Sequence, residues 1–347
     1  MHNYFLSRSK FFTFHFSLFT LFCTFVPVKA FVFEHSATLP ALKDGSFFHS
    51  PDLMELYEHT PRHKPYMVVL MDDNGHEEAH LLAVTRYKRS LFPPYLYIHV
   101  RVIGQGVYQH EPNEQKFGCM VKALKERLQN KVLYIEFSDL PQKMFGYEAL
   151  RSEGFFPVRW MSVHNSLHSR IPEERISPKQ LTRIKNAQQR GATTKIVETE
   201  EEFKDFSKLM RRHNWLKPRK YIPDNTFFRG MMEMEKCKLF ITQYHGKTIG
   251  CSVCVYSDND AYLWFSAARR KSYATLHPNA VTFWETIKDA HRMNCQHIRF
   301  LDVGLPFRKN PYRDFILRFG GKEVSTYRWF RINIRWVNSL ASWLWRE

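Results

Sequence analysis

Apolar positions along the chain fall into two kinds of stretch. Some alternate or run on for a few residues, as strands do, and others recur at the three-and-four spacing of a helix. Pro51 to His59 predicts a short helix and Tyr66 to Met71 a strand. The turn Asp72-Asp73-Asn74-Gly75 leads into a partner strand, Ala79 to Arg86, and a third follows at Leu96 to Val102. Glu114 to Gln129 sets Phe117, Met120, Val121, Leu124 and Leu128 on one helical face. Lys131 to Phe137 predicts a buried strand, Gly146 to Glu153 a short helix closed by Gly154, and Pro157 to Leu167 a last strand.

The second half repeats this order. Glu200 to Arg212 predicts a helix with Phe203, Phe206, Leu209 and Met210 on one face. Lys238 to Tyr244 and Thr248 to Tyr256 flank a turn at His245-Gly246, and Ala261 to Ala267 is a third strand. Asn279 to Met293 is a helix that aligns Val281, Trp284, Ile287 and Ala290. Gln296 to Val303, Tyr312 to Phe319 with Gly320-Gly321, and Val324 to Ile334 complete the set as strand, short helix and strand. Equivalent landmarks keep a steady separation: 171 residues from Gly75 to Gly246, 163 from Phe137 to Phe300, and 166 from Gly154 to Gly320. Repetition at that distance predicts two α/β modules, residues 31–170 and 171–347, each a mixed, mostly antiparallel sheet flanked by helices. The join, Asn165 to Gln180, contains Pro172 and Pro178. The next helix, from Leu181, is basic and closes at Gly191.

Residues 1–30 stand apart. Phe11 to Val28 carry no formal charge and follow the basic Arg8 and Lys10, and Val28-Lys29-Ala30 has the form of a signal-peptidase site. A cleaved signal, a retained anchor and an over-called translation start all fit, so the fold is expected to begin after residue 30. Composition adds a charge bias. The 347 residues carry a formal charge of +17, and +14 remains without the leader. Such an excess favours an anionic partner: a phosphate-bearing donor, RNA or an anionic membrane surface. Six cysteines without a disulfide-like rhythm fit a reducing, cytoplasmic setting, and a real leader would instead make the protein membrane-associated or exported. Cys251 and Cys254 form the one C-x-x-C. On a strand they point to opposite faces and neither chelate nor cross-link.

Four segments carry a family resemblance. They are Arg183-Ile-Lys-Asn-Ala-Gln-Gln-Arg-Gly191, the run from His277-Pro-Asn to Ala290, Phe300-Leu-Asp-Val-Gly304, and Phe319-Gly-Gly321. Together they resemble the FemAB-like branch of the GCN5-related N-acetyltransferase (GNAT) superfamily, in which tandem modules transfer acyl or aminoacyl groups. The first half is similar more loosely, through Phe47-Phe-His-Ser-Pro51 and Gly154-Phe155. Two features depart from the family pattern. No room exists between Met210 and Lys238 for the helical-hairpin arm of the peptidoglycan-bridge enzymes, and Phe315-Ile-Leu-Arg318 stands where a Phe-Lys pair is common.

The resemblance implies an N-acyltransferase with acyl-CoA or aminoacyl-tRNA as co-substrate, an amine as acceptor and no permanently bound cofactor. It leaves a peptidoglycan-bridge aminoacyltransferase acting on a lipid-linked muropeptide as an alternative, and a non-catalytic module binding RNA or anionic lipid as another. Acyl transfer needs an anchored donor, a free amine and a stabilised oxyanion. The donor phosphates are expected at the helix start marked by His277 and Asn279, with Arg269, Arg270 and Lys271 just upstream. A solvated turn before a capped helix explains the same residues. Asp302, at a strand end, is the candidate to orient the amine or accept its proton, with a turn-capping Asp as the plain alternative and Asp139 as its positional counterpart. Tyr262 joins it as a candidate catalytic residue. Trp264 is a candidate cleft wall, although aromatic core suits both, and Arg308, Lys309 and Tyr312 are candidate acceptor contacts. Gly104-Gln-Gly106 is a weaker phosphate-loop candidate. No metal-ligand spacing, nucleophilic triad, carboxylate pair or P-loop can be assembled.

Overall fold

The computed structural model describes residues 21–22, 28–89, 93, 95–214 and 221–345. Most of the leader therefore lies outside the described residues. The first half contains β1 (Leu21–Phe22), β2 (Lys29–Phe33), α1 (Pro51–Glu58), β3 (His63–Met71), β4 (Glu77–Arg89), β5 (Leu96–Ile103) and β6 (Val107–Tyr108). It continues with α2 (Glu114–Leu128), β7 (Tyr134–Ser138), α3 (Tyr147–Ser152) and β8 (Phe156–Ser166). Next come α4 (Pro172–Arg175), α5 (Pro178–Gln189), β9 (Thr193–Ile196), α6 (Glu200–Asn214) and α7 (Asn225–Glu233), then β10 (Cys237–Tyr244), β11 (Lys247–Ser257) and β12 (Asp260–Ala268). The chain ends with α8 (Pro278–Arg292), β13 (His297–Phe300), α9 (Pro311–Leu317), β14 (Lys322–Ile332) and α10 (Arg335–Leu344).

The strands form one mixed sheet in the order β1-β2-β3-β4-β5-β7-β14-β8-β13-β12-β11-β10-β9. Reading outward from the β14–β8 pair, the two sides match through six strands, and β1 lies beyond the match. β7 runs parallel to β5 and β13 parallel to β12, while the flanking pairs are antiparallel. The last strands are exchanged. β14 lies against β7 of the first half, β8 against β13 of the second, and the two pair with each other from Lys322↔His164 to Phe330↔Phe156. The covalent halves thus meet without an edge between them. Ala30 is fully buried in the first-half core and Lys29 pairs with Met71, so the fold starts before residue 31.

Alternation along each strand divides the apolar side chains among three cores. Val68 and Leu70 face α2, whereas Met67 and Val69 face the opposite side. That opposite side is common to both halves. There α1, α6 and α7 pack among Leu239, Ile241, Val253 and Phe265 as well as among first-half strands. The third core lies under α5, α8 and α9. Cys251 falls in the shared core and Cys254 in the third, on opposite faces of β11. Cys237, Cys254 and Cys295 are free and buried and Cys251 is buried, while Cys119 is disulfide-bonded, against the expectation of unpaired thiols throughout.

Candidate functional site

β7 and β13 are equivalent strands, and just beyond each lies an aspartate in the left-handed region, Asp139 at φ 57° and Asp302 at φ 62°. Aspartate tolerates this conformation better than most residues. Both carboxylates reach the central seam of the sheet. Arg101 of β5 donates to Asp302 Oδ2 at 3.2 Å, to Asp139 Oδ2 at 3.2 Å and to Ser138 Oγ at 3.0 Å. Arg328 of β14 donates to Asp302 Oδ1 at 2.6 Å and to Glu136 Oε1 at 3.0 Å, and its guanidinium stacks 4.1 Å from the Trp160 ring. The arginines are buried, each with 7% of its side chain exposed, but Asp302 keeps 53% exposed above them. Glu136, Asp139 and Asp302 thus meet Arg101 and Arg328 in one ion-pair network at the seam.

Crowding alone would raise the pKa of Asp302. The charges and hydrogen bonds of Arg101 and Arg328 outweigh it and hold the carboxyl far below the usual carboxylate range. A carboxylate so held is a poor proton acceptor at neutral pH. Tyr312 lies beside it. Burial raises the phenol pKa and the negative charge of Asp302 raises it further. Burial likewise raises that of Tyr262, whose ring meets Phe48 edge-on at 5.0 Å against the shared core.

β12 and β13 part company at this point. Their parallel register ends at Leu263↔Phe300, yet β12 continues to Ala268. A bulge against β11 skips Trp264, since Val253 faces Phe265 and Cys254 faces Leu263. The extra residue turns Trp264 and Phe265 to the same side. Trp264, 8% exposed, walls a narrow cavity together with Phe48, Tyr57, Arg86 and Arg101. In the first half the equivalent strands stay paired to their ends, Ile103 opposite Ser138. The opening is therefore a feature of the second half.

At the same, carboxyl-terminal end of β12 the chain turns into α8. His277, at φ 44°, precedes Pro278 at the first helical position, and no side chain caps the helix. Proline there is preorganised and gives up no needed N–H. A cleft of about 350 Å³ opens between this start and α5, lined by Arg183, Asn186, Gln189, Arg190, Thr275 and His277. Burial lowers the His277 pKa and the charge of Arg183 lowers it further, which keeps the imidazole neutral near pH 7. Two guanidiniums and two amides thus share one cleft with the start of a helix, where free N–H groups favour negative charge.

The remaining candidates lie elsewhere. Arg269, Arg270 and Lys271 do not line the cleft: Arg269 N–H bonds Ile249 O at 2.8 Å, and Arg270 and Lys271 are exposed on the turn beyond β12. Asn279 is half-buried in the first turn of α8. Arg308 and Lys309 are exposed in the loop after Asp302, which Arg313 clamps by donating to Leu305 O at 2.9 Å and Arg308 O at 3.2 Å. Gly104 and Gly106 pack around His49, whose Nε2 accepts the Gly106 N–H at 3.0 Å. Sequence reasoning passed over Arg101, Arg328 and Glu136, although a charged residue inside an apolar strand is itself a signal of a buried ion pair. Among the described residues no His, Cys, Asp and Glu group could hold a metal ion, and no helix is long and apolar enough to cross a membrane.

Residues 178–309 match the family model of an acetyltransferase (GNAT) domain. No curated protein matches the sequence. The fold is similar to that of FemX, at 11% identity and TM-score 0.61, covering 86% of this chain and 95% of that one. It is also similar to L-PGS from Bacillus licheniformis, at 10% identity and TM-score 0.56, covering 88% and 100%. A third likeness is to a tandem GNAT protein from the clavulanic acid biosynthesis pathway, at 11% identity and TM-score 0.52, covering 82% and 88%.

Proposed function

We propose that the protein is an N-acyltransferase whose working cleft lies in the second half, a reading supported by the match of residues 178–309 to the GNAT acetyltransferase domain model and by the likeness of the fold to FemX and to a tandem GNAT protein. The donor is an acyl-CoA or an aminoacyl-tRNA, held by its phosphates between α5 and the start of α8. The acceptor is an amine brought to Asp302 in the opening between β12 and β13. The observation that carries this reading is the shared address of the two features. Parallel strands β12 and β13 put both the uncapped N-terminus of α8 and Asp302 at one end of the second-half sheet.

Transfer is direct. The amine attacks the carbonyl carbon of the donor, the bond to the thiol or the tRNA hydroxyl breaks, and the amine proton leaves to solvent or to the departing group. The thiols argue against a covalent relay: burial raises the Cys237 pKa to about 12 and pushes Cys254 up as well, so neither forms a ready thiolate. The test is ligand-dependent melting of the full chain, followed by mass spectrometry of amine mixtures incubated with enzyme and donor. Stabilisation by CoA or by charged tRNA, with donor-dependent acylation of an amine, is the expected result. No stabilisation by either donor would sink the proposal. Stabilisation by uncharged RNA alone, without product, would point to a binding module.

A further inference from the structure

The carboxyl-terminal helix presents an apolar face that stays exposed among the described residues. At 100° per residue, Trp336, Leu340, Trp343 and Leu344 of α10 fall within a quarter to a third of the helix circumference. They are 72%, 49%, 60% and 64% exposed, and no residue of α10 is buried. The helix is fixed from the other side. Asn338 accepts the Ile332 N–H at 2.8 Å and donates to Gly154 O at 3.0 Å, so the tryptophans point away from the body. Phe307, 69% exposed in the loop that begins at Asp302, stacks on Trp345 at the end of α10 with ring centroids 6.2 Å apart, a second exposed apolar group beside the helix.

We propose that α10 and Phe307 dock the protein on the surface of an anionic lipid bilayer, with the helix lying in the headgroup layer. Tryptophan is the side chain suited to that layer, with a ring that partitions from water and an indole N–H that stays hydrated. The charges around the patch agree. Arg335 is exposed on the flank of the helix, Arg308 and Lys309 are exposed beside Phe307, and no Asp or Glu occurs from Val324 to Trp345. Anionic lipid is drawn to such a rim, and the apolar face supplies the insertion. A symmetric contact with a second copy fits less well, because it would set these same cations against one another. The inference is independent of the donor and acceptor identities.

The experiment uses the full chain and vesicles of phosphatidylcholine alone or with about a third phosphatidylglycerol. Co-flotation with the anionic vesicles, weakened by salt and accompanied by a blue shift of tryptophan emission, is expected. The variant Trp336→Ser/Leu340→Ser/Trp343→Ser should bind roughly tenfold or more weakly while melting at the same temperature, since those side chains are exposed. Single Trp336→Gln serves if the triple variant folds poorly, and it too should bind anionic vesicles more weakly. Equal flotation of the variants and the parent would overturn the proposal. So would failure of the parent to float with anionic vesicles, or self-association that the triple variant abolishes without any vesicle binding. Acylation of a soluble amine without vesicles tests the catalytic reading separately.

Discussion

Asp302 rests on two buried guanidiniums that fix its charge. A carboxylate that accepts from two buried guanidiniums gains charge-assisted bonds and loses basicity together. Replacing it by Asn keeps the shape but leaves Arg101 and Arg328 with less countercharge. Because Asp302 is half exposed and Glu136 and Asp139 remain, the cost to stability should be only about 1–2 kcal/mol. The loss in kcat/KM for the amine should be larger, on the order of tenfold or more, with donor affinity unchanged. Parallel losses in melting temperature and activity would reduce Asp302 to a structural ion-pair partner. Three histidines make a second, pH-dependent prediction. Burial lowers the pKa of His49 and His99 to about 3 and that of His63 to about 4, helped by His80 for the first and by Arg86 for the other two. The unfolded chain binds their protons from about pH 6.5 downward, and the folded protein does so only at much lower pH. Their contribution is therefore fully present above about pH 6.5 and is lost as pH falls toward 3–4. Chemical denaturation midpoints should drop from pH 7 to pH 5, and His99→Phe should flatten that slope. A midpoint independent of pH over this range would show that these rings are solvated.

The elements of each half were legible because their apolar periods are clear: α2, α8, α6 and the β10–β11 hairpin fall where the pattern put them, within a few residues. What escaped were elements whose reason to exist is tertiary. β9 is a short polar-faced strand that pairs with β10, and β2 was hidden by the cleavage-like Val28-Lys29-Ala30. The exchange of β8 and β14 left no trace in the pattern, since the same alternating strand serves in either sheet. The sequence pointed to Asp302 and His277, and both lie at the carboxyl-terminal end of the second-half sheet where the proposed cleft opens. The candidate site was not legible at Arg101, which lies 201 residues from Asp302, nor at Arg328, 26 residues on in the exchanged β14. The cleft proposed for the donor phosphates is lined by Arg183 and Arg190 of α5 and not by the turn at residues 269–271. Replacing Arg183 and Arg190 by Ala should therefore weaken CoA binding roughly tenfold and reduce its salt dependence. Replacing Arg269, Arg270 and Lys271 should have the smaller effect. Titrations of both variants at low and moderate salt decide between the two sources of charge, and the reverse ranking would return the donor to the turn.

At the scale of the whole molecule, the exchanged strands decide what can fold alone. We propose that the repeat divides the chain near residue 170, but that this covalent division does not produce two independent folding units. Cutting there removes β14 from its place between β7 and β8. Trp329, fully buried against the first-half core and met edge-on by Tyr147 at 5.1 Å, would leave a large void. Loss of a buried Trp alone costs about 3–5 kcal/mol, a large share of a domain's stability. Arg101 and Glu136 would also lose Arg328 and Asp302 as partners, leaving charges half-compensated in a buried seam. The second half would lose β8 from the open side of β13, and α1 would no longer pack against α7 in the shared core. The intact chain should thus unfold in one cooperative transition, seen alike by tryptophan emission and by circular dichroism. A fragment of residues 28–170 should be unfolded or aggregated when made alone, and one of residues 171–347 likewise. Mixing the two during refolding should restore structure, because each carries the strand that completes the other. Two separate transitions in the intact chain, or a fragment that is monomeric and cooperatively folded by itself, would show that each half holds its own last strand in solution.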